Sequence, residues 1–245
     1  MAHDDRSAGR ALIGTSGWQY DSWVGSFYGG RPATLKEYAA HFRTVEVNST
    51  FYGLPDRESV DAWTAQVRDR EFVFSVKASR YLTHMKKLKD AAEPLDRLFD
   101  SISPFGDSLE VVLFQLPPHW RSNPDRLAAV LDELPDRYRY AFEFRDPSWY
   151  NDRVYDLLRD HGAAFCIYHL AGHLSPKVVT ADFVYVRLHG AGAGYEGSYA
   201  SEDLAGWTGA ITAWRRSGKD VYLYFDNDQE AAAPRDAARL AEMVS

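Results

Sequence analysis

A chain of 245 residues with a net charge of −7 and a pI of about 5.6 projects no global positive field, which excludes broad, charge-driven binding to nucleic acid and leaves only local basic sites. An apolar share of 45%, with seven Trp, fifteen Tyr and thirteen Phe, excludes a disordered chain and provides a sizeable core. The single cysteine, Cys166, excludes an internal disulfide, and no run approaches the roughly 20 apolar residues of a membrane-spanning helix.

The opening MAHDDRSAGR carries charges but no apolar stretch of the signal-peptide kind, so residues 1–10 are expected to form a flexible segment ahead of one domain over 11–245, in a cytoplasmic protein. Eight strands are then predicted in chain order: 11–16, 44–49, 71–78, 110–116, 139–145, 163–169, 182–189 and 220–226. Their β-branched and aromatic content favours strand over helix. Cys166 lies within the sixth, in AFCIYH, and reads as a core position.

Amphipathic helical stretches lie between them. Thr34 and Glu37 make a capping box ahead of an apolar face of Leu35, Tyr38, Ala39 and Phe42. Asn123 as N-cap and Pro124 in the first turn open a helix whose apolar face is Leu127, Val130, Leu131 and Leu134. The helix from Asn151 carries Val154, Leu157 and Leu158 and stops at Gly162. Further helices are expected over 57–68, 94–101, 202–216 and 233–243. Eight strand–helix alternations predict an α/β fold of the TIM-type (β/α)8 barrel class in a single domain, with an open doubly wound sheet as the weaker alternative. The longer connections, 17–33, 78–93, 169–181 and 190–201, follow strands 1, 3, 6 and 7, where a barrel carries its active face.

Strand side chains alternate with period two, so Glu46 shares a face with Asn48, Glu143 with Arg145, and Arg187 with His189. Phe142, Phe144, Val186 and Leu188 take the opposite face and are expected against the helices. The polar set therefore points into the barrel mouth. Glu46 and Glu143 are candidate metal ligands, general acids or general bases, or else members of an ion-pair network. Lys77, Arg145 and Arg187 supply positive charge suited to an oxyanion. His189 is a candidate acid, base or ligand, and His169 and His84 are weaker ones. Asp226, Asn227 and Asp228 offer oxygen ligands or a helix cap. Trp18, Tyr20, Trp23, Phe27, Tyr28, Trp120, Trp149, Tyr195 and Tyr199 either stack on a sugar or base or pack loops against the barrel. No dinucleotide fingerprint, Walker A sequence, G-x-S-x-G or H-E-x-x-H spacing occurs.

The segments GTSGWQYDSWVGSFY (14–28), EVNSTFYGLP (46–55), FSVKASRYLTH (74–84), FQLPPHW (114–120), EFRDPSW (143–149), YVRLHG (185–190) and YLYFDND (222–228) resemble the YecE-like family, domain of unknown function 72. The resemblance runs in order over about 12–228 and implies a TIM-type barrel without a settled activity. It implies that Trp18, Glu46, Asn48, Lys77, Thr83, His84, Gln115, Glu143, Arg145, Trp149, Arg187, His189 and Asn227 line the mouth. The chain departs from the family pattern at Gly29, where proline is frequent, and at Asp226, Ala231 and Asp236, where an asparagine, a glycine and a second amide are usual.

The expected function is binding of a phosphate-bearing or otherwise anionic ligand, with metal-assisted hydrolysis or isomerisation. Glu46, Glu143 and His189 are the expected catalytic residues, and Trp18, Asn48, Lys77, His84, Gln115, Arg145, Trp149, Arg187 and Asn227 bind the ligand. If a divalent metal binds, Glu46, Glu143, His189 and Asp226 are its expected ligands. Two alternatives remain: a glycosidase-like carboxylate pair acting on a sugar, and a non-enzymatic nucleic-acid or nucleotide-binding module, which the net charge disfavours.

Overall fold

The computed structural model describes residues 8–245. The expected flexible segment over 1–10 lies mostly outside the described residues, and its last two residues are held in place. Gly9 N–H donates to the Arg215 carbonyl at 2.9 Å, and Arg10 forks onto Glu110 at 2.9 and 2.7 Å.

The elements run β1 (Ala11–Thr15), α1 (Asp21–Ser26), α2 (Leu35–Tyr38), β2 (Thr44–Val47), α3 (Arg57–Val67), β3 (Val73–Lys77), α4 (Ala92–Ile102), β4 (Leu109–Leu116), α5 (Pro124–Glu133), β5 (Arg139–Phe144), α6 (Asp152–Asp160), β6 (Ala164–Phe165), β7 (Ile167–Leu170), β8 (His173–Leu174), β9 (Phe183–Leu188), α7 (Ser201–Arg216), β10 (Asp220–Phe225) and α8 (Ala232–Val244). A π-helical turn, Tyr81–Met85, follows β3. The caps expected at Thr34 and Asn123 form, their side chains accepting from the N–H groups of Glu37 and Arg126, and Asn151, at the expected helix start, also caps by accepting from Val154 N–H. Helix α2 is shorter than expected, although Leu35, Tyr38, Ala39 and Phe42 are all buried.

Two sheets are present, ordered β1-β10-β9-β7-β8 and β2-β3-β4-β5-β6. Every pairing is parallel except β7 with β8. The sheets meet at two seams. Ser16 pairs with Glu46 in an isolated parallel bridge, and Gly17 N–H donates to the Glu46 carbonyl at 2.8 Å. At the other seam only Cys166 separates β6 from β7, and its N–H donates to the Phe142 carbonyl at 2.8 Å.

The strand–helix alternation fails once. After β7 the chain turns back as the β7–β8 hairpin and reaches β9 without a helix, so the helix expected after the sixth strand is absent. His169 is in that hairpin, its Nδ1 2.8 Å from Tyr199 Oη.

Period-two parity divides the core. Leu12, Val111, Leu113, Ala141, Cys166, Phe183, Tyr185, Tyr222 and Tyr224 form an inner cluster, whereas Phe142, Phe144, Val186 and Leu188 belong to a separate outer cluster with the helices. Inside, Tyr224 Oη lies 2.7 Å from Thr44 Oγ1 and 2.8 Å from Ser75 Oγ. At the N-terminal strand ends, Arg10 and Arg139 converge on Asp220 at 2.7 and 2.9 Å.

Burial alone pushes the Asp220 carboxyl up, but hydrogen bonds from Arg10 and Arg139 outweigh it and hold the group at about 2. A carboxyl depressed in the native state stabilises above its unfolded value and loses that contribution as pH falls toward the folded one. Asp220→Asn is therefore expected to cost about 1–3 kcal/mol in urea denaturation at pH 7, and the gap from the parent chain narrows between about pH 4 and 2.

Candidate functional site

Glu46 from β2, Glu143 from β5, Arg187 from β9 and Asp226 just beyond β10 have inward parity, and they meet inside the C-terminal ends of the parallel strands. Arg187 is fully buried at the centre. Its Nε lies 3.0 and 3.2 Å from the two Glu46 oxygens. Nη2 donates to Glu46 Oε1 at 2.7 Å and Asp226 Oδ2 at 2.8 Å, and Nη1 donates to Glu143 Oε2 at 2.9 Å. Arg145 Nε donates to the other Glu143 oxygen. Ser16 Oγ and Tyr185 Oη donate to Glu46 at 2.5 and 2.7 Å. Three carboxylates thus balance two guanidiniums and one further cation, Lys77, described below.

This saturation bears on the expected chemistry. Every Glu46 oxygen already accepts hydrogen bonds. Burial pushes the Glu143 carboxyl up, but Arg145 and Arg187 overcome it and hold the group well below the usual carboxylate range, which makes it a weak base. The pair is locked in ion pairs with Arg187 between them, so the glycosidase reading loses the free carboxylates it requires.

His189 is fully buried, and burial followed by Arg187 pushes its pKa down. Its Nε2 lies 3.0 Å from Arg145 Nη2 and 3.3 Å from Arg187 Nη1. A guanidinium only donates, so Nε2 accepts and the neutral imidazole carries its proton on Nδ1. That atom lies 3.1 Å from Asp226 Oδ2, in a geometry too bent for a good hydrogen bond. The expected general acid is therefore a neutral, fully buried imidazole with its Nδ1 proton beside Asp226.

A divalent ion does not fit among Glu46, Glu143, His189 and Asp226, because the Arg187 guanidinium occupies the space between their oxygens. Among the described residues, no cluster of three or more His, Cys, Asp and Glu side chains forms a metal site.

Above this floor lie the other mouth residues. Lys77, at the end of β3, is 7% exposed, with Nζ 4.2 Å from the centroid of the Phe51 ring. Gln115 pairs in register with Glu143 on the adjacent strand. His84 Nδ1 is 2.9 Å from Thr83 Oγ1, and burial and then Lys77 push its pKa down to about 4, leaving it neutral at pH 7. Trp18 and Asn48 line one cleft.

Besides Arg187, whose fork is committed to carboxylates, two further expected ligand contacts have other work. Trp149 is fully buried, stacked on Phe144 at 4.8 Å, and its indole N–H donates to the Trp120 carbonyl at 2.7 Å. Asn227 Nδ2 donates to the Gly197 carbonyl at 2.8 Å and Asp236 at 3.1 Å, which anchors the glycine-rich loop.

Sequence reasoning gave no role to Ser16 or Tyr185, although both have inward parity with Glu46 and Arg187. Asp228, a candidate ligand or cap, caps nothing with its side chain. Burial, then the neighbouring Asp226, push its carboxyl up to about 8, so it is protonated at neutrality.

Removing one partner from a buried ion pair leaves an uncompensated charge. Glu46→Gln is expected to destabilise the fold by about 3–5 kcal/mol in chemical denaturation at pH 7, well beyond the effect of a surface charge change.

The model of the family described as protein of unknown function DUF72 matches residues 12–245. The UPF0759 protein YecE of Escherichia coli K12 is 31% identical over 141 residues, which span 56% of this chain and 49% of that protein, so the match spans about half the length of this relative. The UPF0759 protein YunF of Bacillus subtilis is 24% identical over 273 residues, covering 95% of this chain and 94% of that one. A solved DUF72 family structure from Thermotoga maritima aligns with a TM-score of 0.83 at 26% identity, covering 96% of this chain and 99% of its own. Another, from Enterococcus faecalis, shares the fold with a TM-score of 0.84 at 20% identity, covering 96% and 95%. By the match of that family model over nearly its whole length, the chain belongs to the DUF72 family.

Proposed function

We propose that the two sheets close into one (β/α)8-type barrel with a hairpin in place of the sixth helix, and that its mouth binds a small anion-bearing ligand through Lys77 and Arg145. The seam at Ser16–Glu46 supports closure, because it carries backbone pairing between β1 and β2, which the sheet order leaves at edges, and on the far side only Cys166 separates β6 of one sheet from β7 of the other.

Lys77 carries the ligand assignment. Among the described residues no carboxylate lies within 4.0 Å of Nζ, although the side chain is buried and a guanidinium network lies beneath it. Burial and then Arg187 push its pKa down to about 8. A buried ammonium with no acceptor in contact is costly even where the surrounding charges balance, and a phosphate or carboxylate beside it removes that cost. Arg145 spends its Nε on Glu143 and one Nη on His189, which leaves part of its fork for the same anion.

Two groups at the strand ends exchange protons near neutrality: Lys77, and the protonated Asp228 next to Asp226 and Tyr20. Proton transfer on the bound ligand, with Asp228 as acid, fits these groups better than metal-assisted hydrolysis, because the carboxylates a metal needs are committed to Arg187.

Sulfate keeps a constant charge across the neutral and alkaline range and isolates the protein's own titration. Calorimetric affinity for sulfate is expected to hold up to about pH 8, then fall about tenfold per pH unit as free Lys77 loses its proton. Lys77→Met is expected to weaken binding by about 10- to 100-fold at pH 7. Unchanged affinity in that variant, or a flat profile from about pH 7 to 10, overturns the assignment.

A further inference from the structure

We infer that the cleft beside Lys77 is a hydroxyl-recognition subsite, and that the ligand of this mouth is a polyol or monosaccharide bearing the anionic group. The inference rests on the anion site proposed above and adds the chemistry of the rest of the ligand.

The cleft has a volume of about 280 Å3 and is lined by Trp18, Tyr20, Asn48, Ser49 and Tyr52, among others. That is at the small end of ligand pockets, room for one monosaccharide-sized molecule and not for a polymer. Two of its lining side chains carry unsatisfied polar atoms. Trp18 is 4% exposed, and its buried indole Nε1–H has no acceptor. The buried Asn48 Oδ1 has no donor. An unpaired buried donor or acceptor is costly, so both are primed for a ligand. One is a donor and the other an acceptor. A hydroxyl answers both, because it accepts and donates through one oxygen, and vicinal hydroxyls answer both with room for error.

The subsite is held rigidly. Trp18 packs edge-on against Trp63 at 5.5 Å, and Tyr28 Oη donates to its carbonyl at 2.8 Å. Tyr20 spends its hydroxyl on the Ser16 carbonyl at 2.8 Å, which fixes its ring at the cleft. Tyr52, 78% exposed, stands at the lip with a free aromatic face of the kind that covers the C–H side of a sugar ring.

The same turn builds the cation site. Val47 pairs with Val76, so Asn48 and Lys77 are the next residues along two adjacent parallel strands. Thr50 Oγ1 lies 2.6 Å from the Lys77 carbonyl, Phe51 lies beneath the Lys77 ammonium, and Tyr52 meets Phe51 edge-on at 5.1 Å. A ligand with its anion on Lys77 therefore has its neighbouring carbons directed to Trp18 and Asn48.

The test is calorimetric titration with ethyl phosphate and with a polyol panel of glycerol 3-phosphate, ribose 5-phosphate, glucose 6-phosphate and gluconate. At least one polyol anion is expected to bind about tenfold or more tighter than ethyl phosphate. Asn48→Leu and Trp18→Phe are expected to abolish that advantage while leaving ethyl phosphate within about twofold, whereas Lys77→Met weakens both. Circular dichroism melts establish that each variant folds, and Asn48→Leu carries the test if Trp18→Phe does not. If no polyol anion exceeds ethyl phosphate, or if Asn48→Leu keeps the full advantage, the subsite is overturned. If neither ethyl phosphate nor the panel binds but free ribose or glycerol does, and Asn48→Leu loses it, the anion site fails and the hydroxyl subsite stands.

Discussion

One buried guanidinium sets the geometry on which the rest depends. Arg187 cannot lose its proton, so its charge must be met where it lies, and its planar fork dictates where the acceptors stand. Glu46, Glu143 and Asp226 come from three other strands and are all aimed at it. The ends of β2, β5, β9 and β10 are thereby fixed relative to one another by directional bonds as well as by apolar packing. An ion cluster of this kind is weak evidence for net stability, since desolvation of each charge opposes the pairing. Its value here is positional: a floor of fixed charge beneath the other polar side chains at the strand ends.

Much of this was legible in the sequence. Period-two alternation separated the inner residues from those facing the helices, and the inner and outer clusters divide along that parity. Turn and cap chemistry placed Thr34 and Asn123 correctly, because those signals are local and lie within a few residues of what they cap. The missing helix after β7 was not legible, since 169–181 is polar and loop-like in either case. The roles of Glu46 and Glu143 could not be read either. Parity says that a carboxylate points inward, but whether it meets a guanidinium or stays free depends on distances between strands remote in sequence. Trp149 shows the same limit, because a tryptophan at a strand end offers a stacking face or fills a gap according to neighbours that no local pattern names.

The end of the last strand ties two regions together. Asp226 supplies the third carboxylate to Arg187. Asp236 accepts from Ser198 Oγ, Tyr199 N–H and Asn227 Nδ2, and so ties the loop before α7 to the start of α8. Ala231 has φ +56°, a left-handed conformation that costs a residue with a Cβ roughly 1–2 kcal/mol. The chain retains that strained corner where α8 begins, next to the residues that shape the mouth.

Cys166 interrupts the sixth strand at one seam between the sheets. The thiol is fully buried, lies 3.8 Å from Glu143, and has its pKa pushed well up by burial and then by that carboxylate. A thiol in this state is unreactive while the strands stay together, and the chain contains no other. The molecule therefore carries its own chemical tell-tale: covalent capture of that single sulfur records how often the seam beside the charge network parts, without a foreign probe being introduced.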